Sequence, residues 1–313
     1  MTAKEEYRQL CQKESIPIFL QDWWLDTILF SPKKWDVLLE KKDGVVVAVW
    51  VYHILKKYGM NFLLLPELTP YNGLYFLCQL TENEKNIIAQ RMLKRMMQNR
   101  YTYIQCSLYS SIDIANVAKQ LNFTVQQRVT YQIENITDIE QVFNKMHHSK
   151  RRHILKATKH LQVQTITIDE FVKLHSWQYT CKGQKDFYST DLLYNVCKNA
   201  IDRGQGKLIA IGDGREVHSA IFSLWDNDLA YNLLYFIHPN YRSDGSSSMM
   251  IYEMIKWLNI HTSVKIFDFE GSQQANIAAS YKLFGTKPIY YLYIEKWRYP
   301  LLKRLFYLFD KIA

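Results

Sequence analysis

The 313-residue sequence has few cysteines, and they do not pair by spacing. The five cysteines, at positions 11, 78, 106, 181 and 197, are odd in number and scattered, with no Cys-x-x-Cys pair. This pattern predicts reduced, mostly buried thiols in a cytoplasmic protein rather than a disulfide framework. No metal site is predicted from the residues singled out below.

Long apolar segments are also missing from the sequence. The longest apolar run, residues 45–52, is far shorter than the roughly 18 residues that cross a bilayer, and it predicts a buried strand. Residues 1–6 are charged, and no apolar signal core follows them, so export is not expected. Apolar residues nevertheless make up 48% of the chain, which is enough for a core in each of two domains.

The charge is unbalanced towards the positive side. Lysine and arginine number 39 against 30 aspartate and glutamate residues, which gives a formal net charge of +9. Such an excess favours an anionic partner: RNA, a phosphorylated cofactor or precursor, or an acidic membrane face.

The second half of the sequence repeats the first at a displacement of about 160 residues. Residues 91–96 fall on 253–258, and residues 115–134, a helix followed by a strand, fall on 276–295. A period this long indicates duplicated domains, because solenoid repeats run to roughly 20–50 residues. The alternation of helices and strands predicts an α/β fold with two domains, residues 1–145 and 146–313, each a mixed sheet with helices on both faces.

The two copies differ at one turn. In the second copy, Arg242-x-x-Gly245-x-Ser247 follows an apolar strand and opens a helix, which points backbone N–H groups and the positive helix end at one place. Gly245 allows close approach of a phosphate to the backbone. The first copy has residues 81–84 at this place and no glycine. The sequence therefore predicts an anion site in the second copy and a degenerate one in the first.

Two carboxylates end the following strand. Asp268 and Glu270 alternate with phenylalanines and so share one face, where carboxylates are costly unless they are paired, hydrated or used. They either cap the next helix or meet Arg242 or Lys282, or they take part in chemistry. Tyr281 lies in the next helix, where the first copy has a glutamine.

The segment 149–160 joins the two copies and is strongly basic. As a helix it places Arg152, Lys156 and Lys159 in one stripe, which is either a solvated face or a phosphate-binding surface. Tyr231 and Tyr235, with Tyr241, either line an acceptor cleft or pack in the strands. After Pro300, residues 301–313 predict an amphipathic helix that packs on the protein or lies on an acidic membrane.

The order of strand, phosphate turn, helix, strand and a helix with Tyr281-x-x-x-Gly285 resembles the GNAT N-acetyltransferase superfamily. The resemblance implies two tandem GNAT-like domains, each with a mixed, mostly antiparallel sheet flanked by helices. It also implies that Arg242, Gly245, Ser246 and Ser247 bind the pyrophosphate of an acyl-CoA, and that Tyr281 protonates the departing thiolate. Ser247 stands where the family has glycine or alanine, which implies a wider turn.

The tandem arrangement, with residues 267–272 before residues 281–285 and the basic linker between the copies, resembles the bacterial Fem-type branch. That branch contains the aminoacyltransferases that build peptidoglycan cross-bridges. The long helical hairpin that some of them use to contact tRNA is missing, because the sequence has no 40-residue charged heptad segment.

These observations predict an N-acyltransferase that moves an acyl group from an activated donor, with acyl-CoA favoured, to an amine. Asp268 or Glu270 is expected to accept the proton of the amine, Tyr281 to act on the leaving group, and Arg152, Lys156, Tyr231 and Tyr235 to bind the acceptor. One alternative takes aminoacyl-tRNA as donor and a peptidoglycan precursor as acceptor, at the inner membrane face. The other is a tandem-GNAT binding protein without catalysis.

Overall fold

The computed structural model of the protein describes residues 1–271, 275–300 and 302–303. They form two compact units. The first consists of residues 1–128 with the described residues from 290 onward, and the second of residues 129–289.

Helices and strands alternate through both units. The helices of the described residues are α1 Ala3–Lys13, α2 Asp22–Leu29, α3 Glu82–Gln98, α4 Ala115–Gln120, α5 Ile139–Lys145, α6 His148–Ala157, α7 Ile168–Thr180, α8 Thr190–Asp202, α9 Ser246–His261 and α10 Ala275–Lys282. The strands are β1 Trp35–Lys42, β2 Val45–Lys57, β3 Met60–Leu64, β4 Gly73–Phe76, β5 Tyr103–Ser107, β6 Thr124–Ile133, β7 Gln162–Gln164, β8 Gly206–Gly212, β9 Val217–Trp225, β10 Leu229–Ile237, β11 Ile266–Asp268 and β12 Lys287–Trp297.

The first unit has a mixed, mostly antiparallel sheet. Its strand order is β1-β2-β3-β5-β12, with β4 also paired to β2, and only β3 and β5 run parallel. The core contains Trp50, Met92 and Ile294, each almost fully buried. The helix α3 supplies Met92 because its apolar residues recur at helical spacing and pack on the sheet.

The second unit has a sheet of the same kind. Its strand order is β6-β11-β10-β9-β8-β7, and only β10 and β11 run parallel. Met254 of α9 and the two aromatic residues Phe267 and Phe269 form its centre, with no exposed surface. The pairing of β10 with β9 shifts between Asn232 and Leu234, which marks a bulge in the middle of β10.

The two units follow the same plan. In each, three antiparallel strands lead into a helix, a strand parallel to the third one, and a further antiparallel strand. The predicted fold class, two tandem units with mixed, mostly antiparallel sheets flanked by helices, is confirmed.

The last strand of each repeat extends into the other unit. β6 follows α4 along the chain but pairs with β11, and β12 follows α10 but pairs with β5. The compact units are therefore cut near residues 129 and 290, whereas the sequence repeat predicted a division between residues 145 and 146. The predicted division between residues 145 and 146 separates the two copies of the sequence repeat rather than the two compact units. That sequence boundary stays a prediction.

The amphipathic helix predicted after Pro300 falls almost wholly outside the described residues. Of that segment, Leu302 packs beside Phe62 and Tyr103, and the ammonium of Lys303 lies 3.2 Å from Oε1 of Glu295.

Candidate active site

The predicted anion turn opens α9, as expected. Gly245 is the N-cap residue, with φ of +93°, and no side chain caps the helix from that position. Arg242 is exposed, Ser246 is fully buried, and Ser247 borders a cavity described below. The strand-turn-helix context predicted from the sequence is therefore present.

A carboxylate of the chain itself lies at this helix end. The N–H of Ser246 donates to Oδ1 of Asp244 at 2.8 Å, and Nδ1 of His218 lies 2.7 Å from Oδ2 of the same aspartate. His218 is almost fully buried on β9, and its ring stacks on Tyr241 at 3.7 Å between centroids. The Asp244 carboxylate is therefore held in place at the positive end of α9.

The glycine at position 245 is required by a neighbouring helix. A Cβ atom there would lie 2.4 Å from the carbonyl oxygen of His153 on α6 and 3.3 Å from Cβ of Ala157. The sequence explained this glycine by the approach of a phosphate. The structure adds a second reason for this glycine, because a side chain at residue 245 would meet the backbone of α6; the binding of a phosphate here stays a prediction.

A cavity of about 290 Å³ lies beside the first turn of α9. It brings together three predicted site residues, Ser247, Tyr235 and Tyr281, from α9, β10 and α10. The full lining is Lys150, Asn232, Tyr235, Ile237, Ser247, Met250, Ile251, Asn276, Ile277, Ser280, Tyr281 and Phe284. This is a half-polar, half-apolar pocket of the kind that holds a small reacting group.

Lys150 was not singled out from the sequence, but it provides the cation of this cavity. Its ammonium lies 3.2 Å from Oγ of Ser280 and 4.4 Å from the centre of the Phe284 ring. Burial lowers the pKa of Lys150. The residue stands just before the basic stripe, and only the packing of α6 against α9 brings it to the cavity.

Asn232 was also missed. It is 5% exposed, lines the cavity, and its Oδ1 has no hydrogen-bond partner among the described residues. A buried amide oxygen without a partner costs free energy, so it is suited to receive a donor from a ligand. The bulge in β10 is what displaces the strand at this point.

The two carboxylates at the end of β11 have different surroundings. Asp268 is fully buried and accepts hydrogen bonds from the Thr130 hydroxyl, from Nε2 of Gln132 at 2.7 Å and from the N–H of Glu270 at 2.7 Å. Burial raises the pKa of Asp268 to about 6, although the three donors oppose that rise. Among the described residues, neither Arg242 nor Lys282 forms a hydrogen bond or an ion pair with Asp268.

Glu270 has the more reactive environment of the two. Its φ is +50°, and its Oε1 is enclosed without a hydrogen-bond partner among the described residues. Burial, and then the Asp268 charge, raise the pKa of Glu270 well above its usual range. Gly271 makes this turn possible, since a Cβ there would lie 1.9 Å from the carbonyl oxygen of Val129.

Tyr281 is electrostatically connected to these carboxylates. Burial raises the pKa of Tyr281 above its usual value, and Tyr235, Glu270 and Asp268 raise it further. Its ring lies 4.9 Å from that of Phe269, centroid to centroid. The hydroxyl therefore stays protonated at neutral pH and can donate a hydrogen bond.

The other predicted acceptor residues lie elsewhere. Tyr231 is fully buried on β10 and does not line the cavity. Arg152 and Lys156 are exposed on α6 and border a separate groove of about 400 Å³ together with Phe143, His148, Arg151, Leu155 and Lys159. The structure thus separates the basic stripe from the pocket that contains Tyr281.

The corresponding helix of the first unit is capped by its own residues. The N–H and the hydroxyl of Thr81 donate to Oε2 of Glu84, the N–H of Glu84 donates back to Thr81, and Lys42 pairs with Glu84. No glycine or cavity with a tyrosine accompanies this turn in the described residues. The degenerate donor site expected in the first unit stays a prediction.

The described residues contain neither a candidate metal site nor a helix that could span a membrane. No group of three or more histidine, cysteine, aspartate or glutamate side chains could hold a metal ion among residues 1–271, 275–300 and 302–303. In the same residues, no helix has both the length and the apolar character needed to cross a membrane.

The fold and the cavity define a GNAT-type acyltransferase with two tandem units. Residues 144–283 match the family model described as an acetyltransferase (GNAT) domain, so this part of the chain, which lies in the second unit, carries a GNAT domain. A comparison with curated protein sequences found no match.

Solved structures share this fold over nearly the whole chain. FemX superposes with a TM-score of 0.70 at 12% identity, covering 99% of both chains. L-PGS from Bacillus licheniformis gives 0.56 at 9% identity, over 97% of this chain and 95% of that chain. A tandem GNAT protein from the clavulanic acid biosynthesis pathway gives 0.56 at 9% identity, over 89% and 88%. The chain thus shares the tandem two-unit fold of these proteins.

Proposed function

We propose that the protein transfers an acyl group from an activated ester or thioester to an amine within the cavity that contains Tyr281. The observation that carries this proposal is the meeting of Ser247, Asn232, Lys150 and Tyr281 around about 290 Å³ of space. Holding an amine and a carbonyl together in such a space is itself a large part of the rate of acyl transfer.

Tyr281 acts on the leaving group. As the amine nitrogen forms its bond to the carbonyl carbon, the bond to the donor sulfur or oxygen breaks, and the Tyr281 hydroxyl supplies a proton to that atom. The ammonium of Lys150 and the amide of Asn232 face the same space. The Lys150 ammonium stabilises the negative charge that develops on the carbonyl oxygen, and Oδ1 of Asn232 accepts a hydrogen bond from the substrate and orients it.

Glu270 is the base, and Asp268 is a positioning residue. Burial and the Asp268 charge raise the pKa of Glu270, so its carboxylate binds a proton more strongly than an ordinary glutamate does. The Asp268 carboxylate accepts a hydrogen bond from the N–H of Glu270 and thereby fixes the turn that carries Glu270. Glu270 does not line the cavity, so it receives the proton of the amine through water. After the new amide has formed, Glu270 releases this proton to solvent and the Tyr281 phenolate takes up a proton from solvent.

The acceptor is an amine, and the Fem-like fold makes a peptidoglycan-precursor peptide the first one to test. The donor is an acyl-CoA or an aminoacyl-tRNA. The groove bordered by Arg151, Arg152, Lys156 and Lys159 gives the second unit a cationic surface suited to an RNA backbone. The +9 net charge of the chain agrees with an anionic partner.

The test is a transfer assay with each labelled donor and an amine acceptor. Tyr281→Phe should lower turnover about a hundredfold or more while donor binding remains unchanged, because a leaving-group acid acts mainly in the transition state. Tyr290→Phe removes an exposed hydroxyl and is the matched control with unchanged turnover. Absence of transfer from both donors, or full turnover in Tyr281→Phe, would contradict the proposal.

A further inference from the structure

The helix end that binds donor phosphates in the implied mechanism already holds an anion. The Asp244 carboxylate accepts the N–H of Ser246 at 2.8 Å and is fixed on its other side by His218 at 2.7 Å. Its side chain is only 17% exposed, so it is part of the packed structure rather than a mobile surface group. A diphosphate would have to displace this carboxylate or sit against it.

The surroundings of Asp244 add further negative charge. Oδ2 of Asp213 lies 4.0 Å from Nε2 of His218, and the Tyr241 hydroxyl donates to Oε2 of Glu216 at 2.5 Å. Three carboxylates therefore surround the stacked rings of His218 and Tyr241 at this end of α9. Like charges a few ångströms apart disfavour binding even where water screens them.

The backbone of the turn is also closed on its other side. Gly245 faces the carbonyl oxygen of His153, which lies 2.4 Å from the position of a Cβ atom. A carbonyl oxygen carries partial negative charge, and the glycine is explained by this packing alone. The two observations are independent: one concerns a side chain at the helix end, and the other concerns the main chain of α6.

We infer that Asp244 is a specificity-determining residue that makes the α9 turn reject donors with a diphosphate, such as acyl-CoA. The inference rests on the proposed function, since it concerns the donor of the same site. The cavity itself remains open to an acyl group, because Asp244 does not line it. The donor class that fits carries its activated acyl group without a diphosphate at this turn.

The test measures binding of acetyl-CoA and of S-acetylpantetheine, which lacks the diphosphate, by calorimetry on the full chain. Asp244→Asn removes the charge and keeps an acceptor for Ser246, so acetyl-CoA should bind about tenfold more tightly than to the unaltered chain. Asp244→Ala also frees the N–H of Ser246 and should give a larger gain. S-acetylpantetheine should bind equally to all three proteins.

Two controls separate this role from general charge. Asp213→Asn removes a nearby carboxylate that does not contact the turn, and its gain should be smaller than that of Asp244→Asn. Glu84→Gln changes the carboxylate at the corresponding helix of the first unit and should change nothing. If one Asp244 variant fails to fold, the other still decides the question, because each is expected to show a gain.

Three results would overturn the inference. They are tight acetyl-CoA binding by the unaltered chain, no gain in the folded Asp244 variants, and an equal gain for S-acetylpantetheine. None of them depends on the transfer assay. Failure of the proposed function shows instead as full turnover in Tyr281→Phe, which leaves the binding comparison intact.

Discussion

Asp268 and Glu270 are alike in sequence but have different roles in the structure. Strand alternation places both on one face, and the sequence could not choose between them as the base. In the structure, the Asp268 carboxylate accepts three hydrogen bonds, whereas Oε1 of Glu270 has no hydrogen-bond partner among the described residues. The difference arises from β6, which supplies Thr130 and Gln132 from a part of the chain about 140 residues away.

The raised pKa of Asp268 gives a pH dependence of stability. The native pKa is about 6 against an ordinary value of 3.8, so the folded protein binds the proton more strongly than the unfolded chain. This contribution to stability is fully present below about pH 4 and is lost as the pH rises through about 6. The loss amounts to about 3 kcal/mol at about 1.4 kcal/mol per pKa unit.

The variant Asp268→Asn lacks this titration. We expect the free energy of unfolding of the unaltered chain, minus that of the variant, to fall by about 3 kcal/mol between pH 4 and pH 7. Urea unfolding at several pH values, followed by tryptophan fluorescence, measures the difference. A difference that stays constant over this range, or that rises, would contradict the assigned shift.

Part of the candidate site could be predicted from residue patterns. The turn and helix motifs predict Ser247 and Tyr281, the tyrosines of the apolar strand predict Tyr235, and all three residues border the cavity. Lys150 and Asn232 were not, because nothing local distinguishes one lysine in a basic segment or one asparagine in an apolar strand. Their place in the cavity depends on the packing of α6 and on the bulge in β10, which are tertiary features.

At the scale of elements, the packing of α6 against α9 organises the site. It brings Lys150 to the cavity and explains why residue 245 is glycine. The basic character of α6 suggested a phosphate surface, but Ile154 and Ala157 on the same helix are buried in the core of the second unit. The helix therefore has a structural role that a charge pattern alone could not reveal.

Gly245→Ala should disturb this packing. The added Cβ would lie 2.4 Å from the His153 carbonyl oxygen, and the residue would keep a φ of +93°, so we expect a loss of about 2–4 kcal/mol in unfolding free energy. Gly204→Ala is the matched control, because its φ is +69° and no atom lies within 4 Å of the new Cβ. It should cost only about 1 kcal/mol.

Thermal unfolding of the two variants measures this contrast. Equal losses in the two proteins would mean that backbone conformation alone requires glycine at position 245. The contact with α6 would then have no energetic weight.

At the scale of the whole molecule, the sequence repeat predicted the fold class but not the composition of each unit. The order of elements and most strands in both halves followed from hydrophobic period and turn residues, as for β2 and α9. The helices α1 and α2 and the short strand β4 were not predicted. The exchange of β6 and β12 could not be predicted from the sequence. The sequence repeat would look the same whether the last strand of a copy paired within its own unit or within the other unit.

The exchange predicts that residues 1–145 do not form a complete first unit by themselves. They lack β12, whose residues Tyr293–Trp297 pair with β5. We expect this fragment to unfold at low temperature and to be stabilised by several degrees when a synthetic peptide of residues 287–303 is added, because binding to the folded state alone raises stability. Differential scanning calorimetry measures the shift.

A peptide of the same composition in scrambled order is the control, and it should give no shift. A fragment that unfolds cooperatively at the temperature of the full chain, with or without the peptide, would contradict the assignment of β12 to the first unit.

The position of β12 also bears on how the protein is made. During synthesis, residues 129–289 of the second unit all leave the ribosome before the final strand of the first unit does. The half of the chain that is translated first is thus completed last, and the side of β5 that binds β12 stays unpaired throughout. Unpaired strand edges are prone to association with other chains, so the nascent protein should depend on chaperones until β12 has emerged.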